Sequence, residues 1–334
     1  MRHVHAAPAG ITQMSLITAK VGIYSAAVMK KLSFLISLTT LDNDYQLEQA
    51  EAAKKAGRQL GVDVTIMQAD NDAINQSQQL LKVIQSKGPW PNAIVMEPVG
   101  GTALPHVARA AIAAGIGWVV LNREAEYMTE LRRVGKAPAF EVGSDHLEIG
   151  RIQGRQFAAL LPEGGNVLYI QGPSDSSAAK QRTSGMNQTK PDNIQVSMLK
   201  AQWTEASAYR AVTSWLRLST SQMAQINVVA AQDDSMAIGA RKGFQEQAVG
   251  AEQQRWLQLP FTGCDGLPKT GQAWVRSGLL AATVVVPPNT GLAVEMLVKA
   301  IQNGTPPAQQ TLIKPSSFPP IEALGPVKAA RQVF

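Results

Sequence analysis

Two periodicities alternate along the chain. Short apolar runs rich in β-branched residues stand at 32–38, 62–66, 93–96 and 118–121. Between them the apolar positions recur at helical spacing: Leu47, Ala50, Ala53 and Leu60 share one face of a helix expected to stop at Gly61, and 107–114 forms a second such stretch. A second series begins near Phe140, with strands expected at 166–170, 194–198, 228–231 and 257–263 and helices at 149–161, 206–216 and 236–247. Strand and helix in strict alternation predict doubly wound parallel sheets, and two such series in tandem predict two α/β halves with a cleft between them. Pro260 removes a ladder hydrogen bond from 257–263, so that strand is expected to be bulged or near an edge. One more strand is expected at 278–286, then a last amphipathic helix at 291–301 closed by Asn303-Gly304. The proline-rich tail after it reads as mostly irregular.

Where strands end and helices begin, an open α/β sheet presents side chains to a cleft. The run 228–231 breaks there into Asp233-Asp234 and then into a small-residue helix. A carboxylate in that place is either a ligand acceptor or a helix N-cap. Asp233 has polar companions at other strand ends in Asn122, Arg123 and Asp265, and is assigned to the ligand; Asp234 is assigned to the cap. Asn43 carries the same two readings. Asp145 followed by Glu148 reads as a capping-box-like helix start. Asp42-Asn43-Asp44 and Asp70-Asn71-Asp72 lack the glycine and terminal glutamate of a calcium loop and read as turns or caps.

Composition narrows the function classes. With 334 residues, 45% of them hydrophobic and 17% charged, the chain can bury a large core and is long enough for two domains. Its formal charge of +6 is dispersed, with no basic run interleaved with aromatics, so nucleic acid is not an expected partner. Cys264 is the single cysteine and the four histidines are scattered, which excludes an internal disulfide and leaves no expected metal or cofactor. No Gly-x-Ser-x-Gly elbow, Walker loop or metal triad is present; Glu97 and Asp265 are the one carboxylate pair weighed for acid/base work, and an enzyme is not expected. No stretch is long enough to span a membrane. The apolar positions in 11–28 are interrupted by Thr, Gln, Ser and Lys, so they do not form a secretory signal, and 1–30 is expected to be an extension without stable order. Met29, followed by Lys30-Lys31 and a short apolar run, is an alternative start.

Seven pieces, in order, carry a family resemblance: 39–45 after the first strand, Val120-Leu121-Asn122-Arg123, Gly143-Ser144-Asp145, 171–182, 232–239, Gly263-Cys264-Asp265-Gly266, and Leu280-Ala281-Ala282-Thr283. Together they make the chain, over 31–304, similar to the type I periplasmic sugar-binding proteins, the ribose-binding group in particular. That group shares its fold with the effector domains of lactose-repressor-type regulators. The resemblance implies two doubly wound lobes joined by a three-segment hinge and closing on one small polar ligand. The first lobe would hold 31–138 with 287–308, and the second 139–286 with 309–334. It places Asn43, Tyr45, Asn122, Arg123, Arg182, Trp203, Asp233 and Asp265 against the sugar. The chemistry suits one: carboxylate acceptors beside planar guanidinium donors can satisfy hydroxyls that both give and take hydrogen bonds, and the aromatics can cover C–H faces. Val286 stands where ribose binders have a Gln, Asn122 where Asp is usual and Asp233 where Asn is usual, which points away from ribose toward another pentose, a hexose or a related polyol. The implied role is the monomeric receptor of an ABC-type sugar importer in the periplasm or cell envelope, with a membrane permease as partner. A cytosolic sugar-sensing effector domain without its DNA-binding part is the alternative, and the unrecognised export signal favours it.

Overall fold

The computed structural model describes residues 31–101, 104–222 and 225–326. The expected N-terminal extension and the alternative start at Met29 lie outside the described residues. In chain order, the first nine elements are β1 (Ser33–Leu38), α1 (Asp44–Leu60), β2 (Asp63–Gln68), α2 (Ala73–Ile84), β3 (Ala93–Met96), α3 (Pro105–Ala113), β4 (Gly117–Leu121), α4 (Met128–Val134) and β5 (Ala139–Ser144). There follow α5 (His146–Leu160), β6 (Gly165–Gln171), α6 (Ser177–Thr189), β7 (Ile194–Lys200), α7 (Glu205–Leu216), α8 (Ser219–Gln222), β8 (Val228–Ala231), α9 (Asp234–Gln247) and α10 (Gly250–Leu257). The chain continues with β9 (Phe261–Thr262), α11 (Gly271–Arg276), β10 (Thr283–Val285), α12 (Thr290–Asn303), β11 (Gln310–Ile313), β12 (Ser316–Phe318) and a 3-10 turn at Ile321–Ala323.

Two parallel sheets organise these elements. The first has the strand order β11-β5-β4-β3-β1-β2 and the second β7-β6-β8-β9. Every residue of β3, β4 and β5 is buried, as expected for strands covered on both faces. On one face of the first sheet Leu35, Ile94 and Trp118 pack with Leu80, Val107, Ile112 and Leu131 of α2, α3 and α4. On the other, Phe34, Ile36, Val119 and Phe140 meet Ala50 and Ala53 of α1 and Val294 and Leu297 of α12. The second sheet is sandwiched in the same way, with Phe244 of α9, Trp256 of α10 and Phe261 of β9 on one side and Phe157 of α5 with Met186 of α6 on the other. Phe244 stacks on Trp256 with ring centroids 4.7 Å apart. Each half therefore has its own hydrophobic core.

The chain leaves or rejoins the first half three times: from β5 into α5, from β10 into α12, and from β11 into β12, where β10 and β12 form a two-stranded sheet of their own that bridges to the β9 segment through Thr262 with Ala282 and Asp265 with Val285. β5 and β11 pair with each other in parallel, Gln310 opposite Glu141, and both belong to the first sheet. Residues 139–144 and 310–313, expected with the second half, are thus held by the sheet of the first, because the family-like strand at 139–144 has its ladder partner in β4. The tail is also less irregular than its prolines suggested: β12 pairs antiparallel with β10. The strand expected over 257–263 shrinks to β9, since the helix α10 runs through Leu257 and Pro260 follows at once. Likewise 278–286 is strand only at β10; Gly278 sits at φ +78°, a turn conformation that glycine adopts without penalty.

Candidate ligand-binding site between the two sheets

The C-terminal ends of strands from both sheets face one pocket. Asn43, Tyr45, Asn122, Arg123, Arg182, Trp203, Asp233 and Asp265, the eight residues picked from the sequence, all line it. With its mouth and the adjoining open solvent included, the pocket encloses about 470 Å3 of empty space. Gln46, Glu97 and His146 line it as well.

The wall built from the first sheet is closely hydrogen-bonded. Glu97 follows β3 directly and is 4% exposed. Its carboxylate accepts from Gln46 Nε2 at 3.0 Å and from Asn122 Nδ2 at 3.2 Å, and lies 3.6 Å from Arg123. Burial alone would push Arg123 toward losing its proton, and the Glu97 charge counteracts that. Asn122, at the end of β4, adopts φ +54°, a left-handed conformation that Asn tolerates better than most residues. Its Oδ1 accepts from Asn289 Nδ2 at 2.6 Å. Asn289 is in turn fixed by Gln49 of α1, whose Nε2 donates to its Oδ1 at 2.7 Å. Gln49 Oε1 meanwhile accepts the backbone N–H groups of Asn289 and Thr290, doing for α12 what a side-chain N-cap would do.

His146 completes this wall at the start of α5. Its Nε2 lies 2.9 Å from the backbone carbonyl of Asn122. A carbonyl only accepts, so Nε2 carries the hydrogen and Nδ1 keeps a lone pair. That Nδ1 is buried and has no protein partner. Burial, with Arg182 and Arg123 nearby, pulls the imidazole well below its ordinary pKa and keeps it neutral, so the pocket gains a fixed acceptor.

The wall from the second sheet is sparsely paired. Asp233, not Asp234, is the N-cap of α9: its Oδ1 accepts from Met236 N at 2.5 Å. The same side chain faces the pocket, so cap and pocket-lining positions coincide. Asp234 does not cap. It is wholly enclosed, its oxygens accepting from Thr283 Oγ1 at 2.7 Å and from Gly266 N at 2.8 Å, and a Cβ on Gly263 or Gly271 would collide with its carboxylate. Two adjacent carboxylates on one helix start point opposite ways, and only the packing of β10 and of the Gly266 turn decides which is which. Burial raises Asp233 to about 6 and Asp234 to about 8, and pushes Asp265 well above the usual carboxylate range. Arg182 donates to the Gln232 carbonyl, and its guanidinium carbon lies 5.4 Å from the centre of the Trp203 ring; its Nε has no partner. Burial opposes its charge, but Cys264, Asp265 and Asp233 together hold the proton more firmly than usual. Trp203 at φ +61° and Asp265 at φ +113° are two more pocket residues in conformations that L-residues rarely hold, and such strain concentrates at functional sites.

Asn43 joins the walls. Its Oδ1 caps α1 by accepting from Tyr45 N at 2.8 Å and Gln46 N at 3.2 Å. Its Nδ2 reaches the opposite half, donating to the Trp203 carbonyl at 2.8 Å and to Asp233 Oδ2 at 3.4 Å. Tyr45 packs with Ile149, Cys264 and Val286 and donates from its hydroxyl to the Pro287 carbonyl at 3.4 Å. Cys264 is a buried free thiol, and among the described residues no cluster of side chains could hold a metal ion. Glu97 could have been found by the signal that selected Asp233, a carboxylate directly after an apolar strand. Nothing in the sequence marks His146, whose role depends on the carbonyl of a residue 24 positions earlier.

Parallel sheets, three crossings and a polar pocket between strand ends define a two-part receptor of the clamshell type. The chain belongs to the periplasmic binding protein family: residues 34–305 match the periplasmic binding protein domain. It is similar to the ribose import binding protein of Escherichia coli (strain K12), with 25% identity over 265 residues, 79% of this chain and 82% of that one. The D-apiose import binding protein of Paraburkholderia graminis is likewise 25% identical over 299 residues, covering 87% of this chain and 89% of the relative. Among solved structures, the periplasmic binding protein component of the arabinose ABC transporter from Shewanella sp. ANA-3, bound to α- and β-L-arabinofuranose, shares the fold with a TM-score of 0.72 at 22% identity. That match covers 86% of this chain and 91% of the other.

Proposed function

We propose that this protein is a non-catalytic solute receptor that closes on one monosaccharide or related polyol and delivers it to the permease of an ABC-type importer, acting in the periplasm or cell envelope as a monomer. The observation that carries the reading is the pocket itself. Eight side chains from seven separate segments of the chain converge there, combining donors (Arg123, Arg182, Asn43, Asn122) with acceptors (Glu97, Asp233, Asp265 and His146 Nδ1). A ring of hydroxyls matches such a lining, because each hydroxyl needs one partner of each kind when water is excluded. Discrimination follows: a missing hydroxyl leaves a buried group unpaired at a cost of about 1–3 kcal/mol. Trp203 supplies a flat surface for the C–H face of the ring. The relatives' named ligands, ribose and D-apiose, are small polyhydroxylated molecules of this type. Glu97 accepts from Gln46 and Asn122 and forms an ion pair with Arg123, while Asp265 stands on the other wall, so neither is placed as a proton-transfer partner of the other.

The test is a thermal-shift panel of pentoses, hexoses and cyclic polyols at millimolar concentration. A ligand that binds only the folded state raises the melting temperature, by about 2.7 kcal/mol of stabilisation at one hundred times its Kd. No shift with any neutral or charged member of the panel would sink the reading.

A further inference from the structure

The pocket holds more carboxyl groups than guanidinium groups. Glu97, Asp233 and Asp265 face it against Arg123 and Arg182, with His146 kept neutral. Glu97 is matched by Arg123 across the first wall. Arg182 is turned to the Gln232 carbonyl and the Trp203 ring, and forms no ion pair with Asp233 or Asp265 among the described residues. The oxygens of Asp233 are taken by Met236 N and Asn43 Nδ2. The carboxylate of Asp265, in a residue only 6% exposed, accepts no hydrogen bond from any described residue.

We infer that the ligand is a cation: a sugar or cyclic polyol carrying one protonated amine, whose ammonium group is taken by the Asp265 carboxylate with Asp233 beside it. This rests on reading the site as a sugar or polyol receptor and names the chemical class. An ammonium offers three donors and no acceptor, which is what a carboxylate without donors can use. A hydroxyl donates one hydrogen bond to that group but brings no charge, whereas an ammonium donates and also supplies the counter-charge that lets a buried carboxyl group ionise. The remaining hydroxyls fall to Arg123, Arg182, Glu97 and the lone pair of His146 Nδ1.

Isothermal titration at neutral pH with matched pairs tests this: glucosamine against glucose, an aminocyclitol against myo-inositol, and an amino-deoxypentose against its parent pentose. For at least one pair the amine is expected to bind about 30-fold or more tightly than its hydroxyl counterpart, the effect of a desolvated charge pair of about 2 kcal/mol. Asp265→Asn should bring that ratio close to one, with a thermal melt confirming the folded state. If every pair binds equally, or the hydroxyl member binds more tightly, the charge inference is overturned while the receptor reading stands. If no amine and no neutral polyol binds at all, the receptor reading falls and takes this inference with it.

Discussion

The two walls of the pocket contain similar residues in opposite states. On the first, Glu97, Arg123, Asn122, Asn289 and Gln49 form one continuous hydrogen-bonded chain in which each member is held by its neighbours. On the second, Asp233, Asp265 and Arg182 are equally buried, yet they pair mainly with backbone or with nothing. The first wall pairs its carboxylate within the protein and leaves only single atoms, Gln46 Oε1, Arg123 Nε and His146 Nδ1, without a protein partner. The second leaves Arg182 Nε and the whole carboxyl group of Asp265 without one. A paired carboxylate on one side and an unpaired one on the other give the two walls different shares in holding a ligand.

The contrast is broken or sharpened most strongly by removing one arginine from each wall. Arg123→Ala strips Glu97 of its buried counter-charge and should destabilise the free protein by about 3–5 kcal/mol in urea unfolding, besides abolishing binding. Arg182→Ala should also abolish binding, but with a clearly smaller loss of free-protein stability because no ion pair is broken. Equal losses would show that the second wall is as internally satisfied as the first.

A smaller effect is expected from pH. The folded pKa values of Asp233 and Asp234, about 6 and about 8, lie above the unfolded carboxylate value, so the folded state holds more protons and loses stability as pH rises through that window. His146 works in the opposite sense, since its folded pKa is depressed, but only below its unfolded value near 6.5. Between pH 6.5 and 8 the carboxylates act alone. Stability of the ligand-free protein should therefore increase as pH is lowered across that interval, by up to about 2 kcal/mol for each carboxyl group that stays protonated, and Asp234→Asn and Asp265→Asn should each reduce the slope. A melting temperature that rises with pH instead would contradict the burial of these carboxylates as uncompensated groups.

The smallest effect concerns the aromatic surface. A Cβ on Gly172 would overlap the indole of Trp203, so Gly172→Ala should displace that ring and weaken ligand binding about 10-fold, or about 1.4 kcal/mol, with the first wall untouched. Unchanged affinity in titration would remove Trp203 from the set of contacts.

What the sequence made legible follows from which forces are local. Strand-end positions such as Asn122, Arg123, Asp233 and Asp265 could be picked out because an apolar run that stops abruptly marks the edge of a sheet whatever the tertiary context, and all four line the pocket. The division of labour between Asp233 and Asp234 was not legible, because it depends on Thr283 and Gly266, far along the chain. Nor was the extent of 257–263, where Leu257 and Leu259 suit a strand but the helical turn of α10 claims Leu257 first. The same limit applies to β11, whose place in the first sheet comes from pairing with β5 and leaves only a weak alternation in its own four residues.

Asn43 has a mechanical consequence. One end of its amide fastens the start of α1, and the other reaches across the cleft to the Trp203 carbonyl. Parting the two halves must break the second attachment, but it leaves the first intact. The latch can therefore spring free without unravelling the helix that carries it, and the receptor can reset at the cost of the two hydrogen bonds from Asn43 Nδ2, to the Trp203 carbonyl and to Asp233, rather than a turn of secondary structure.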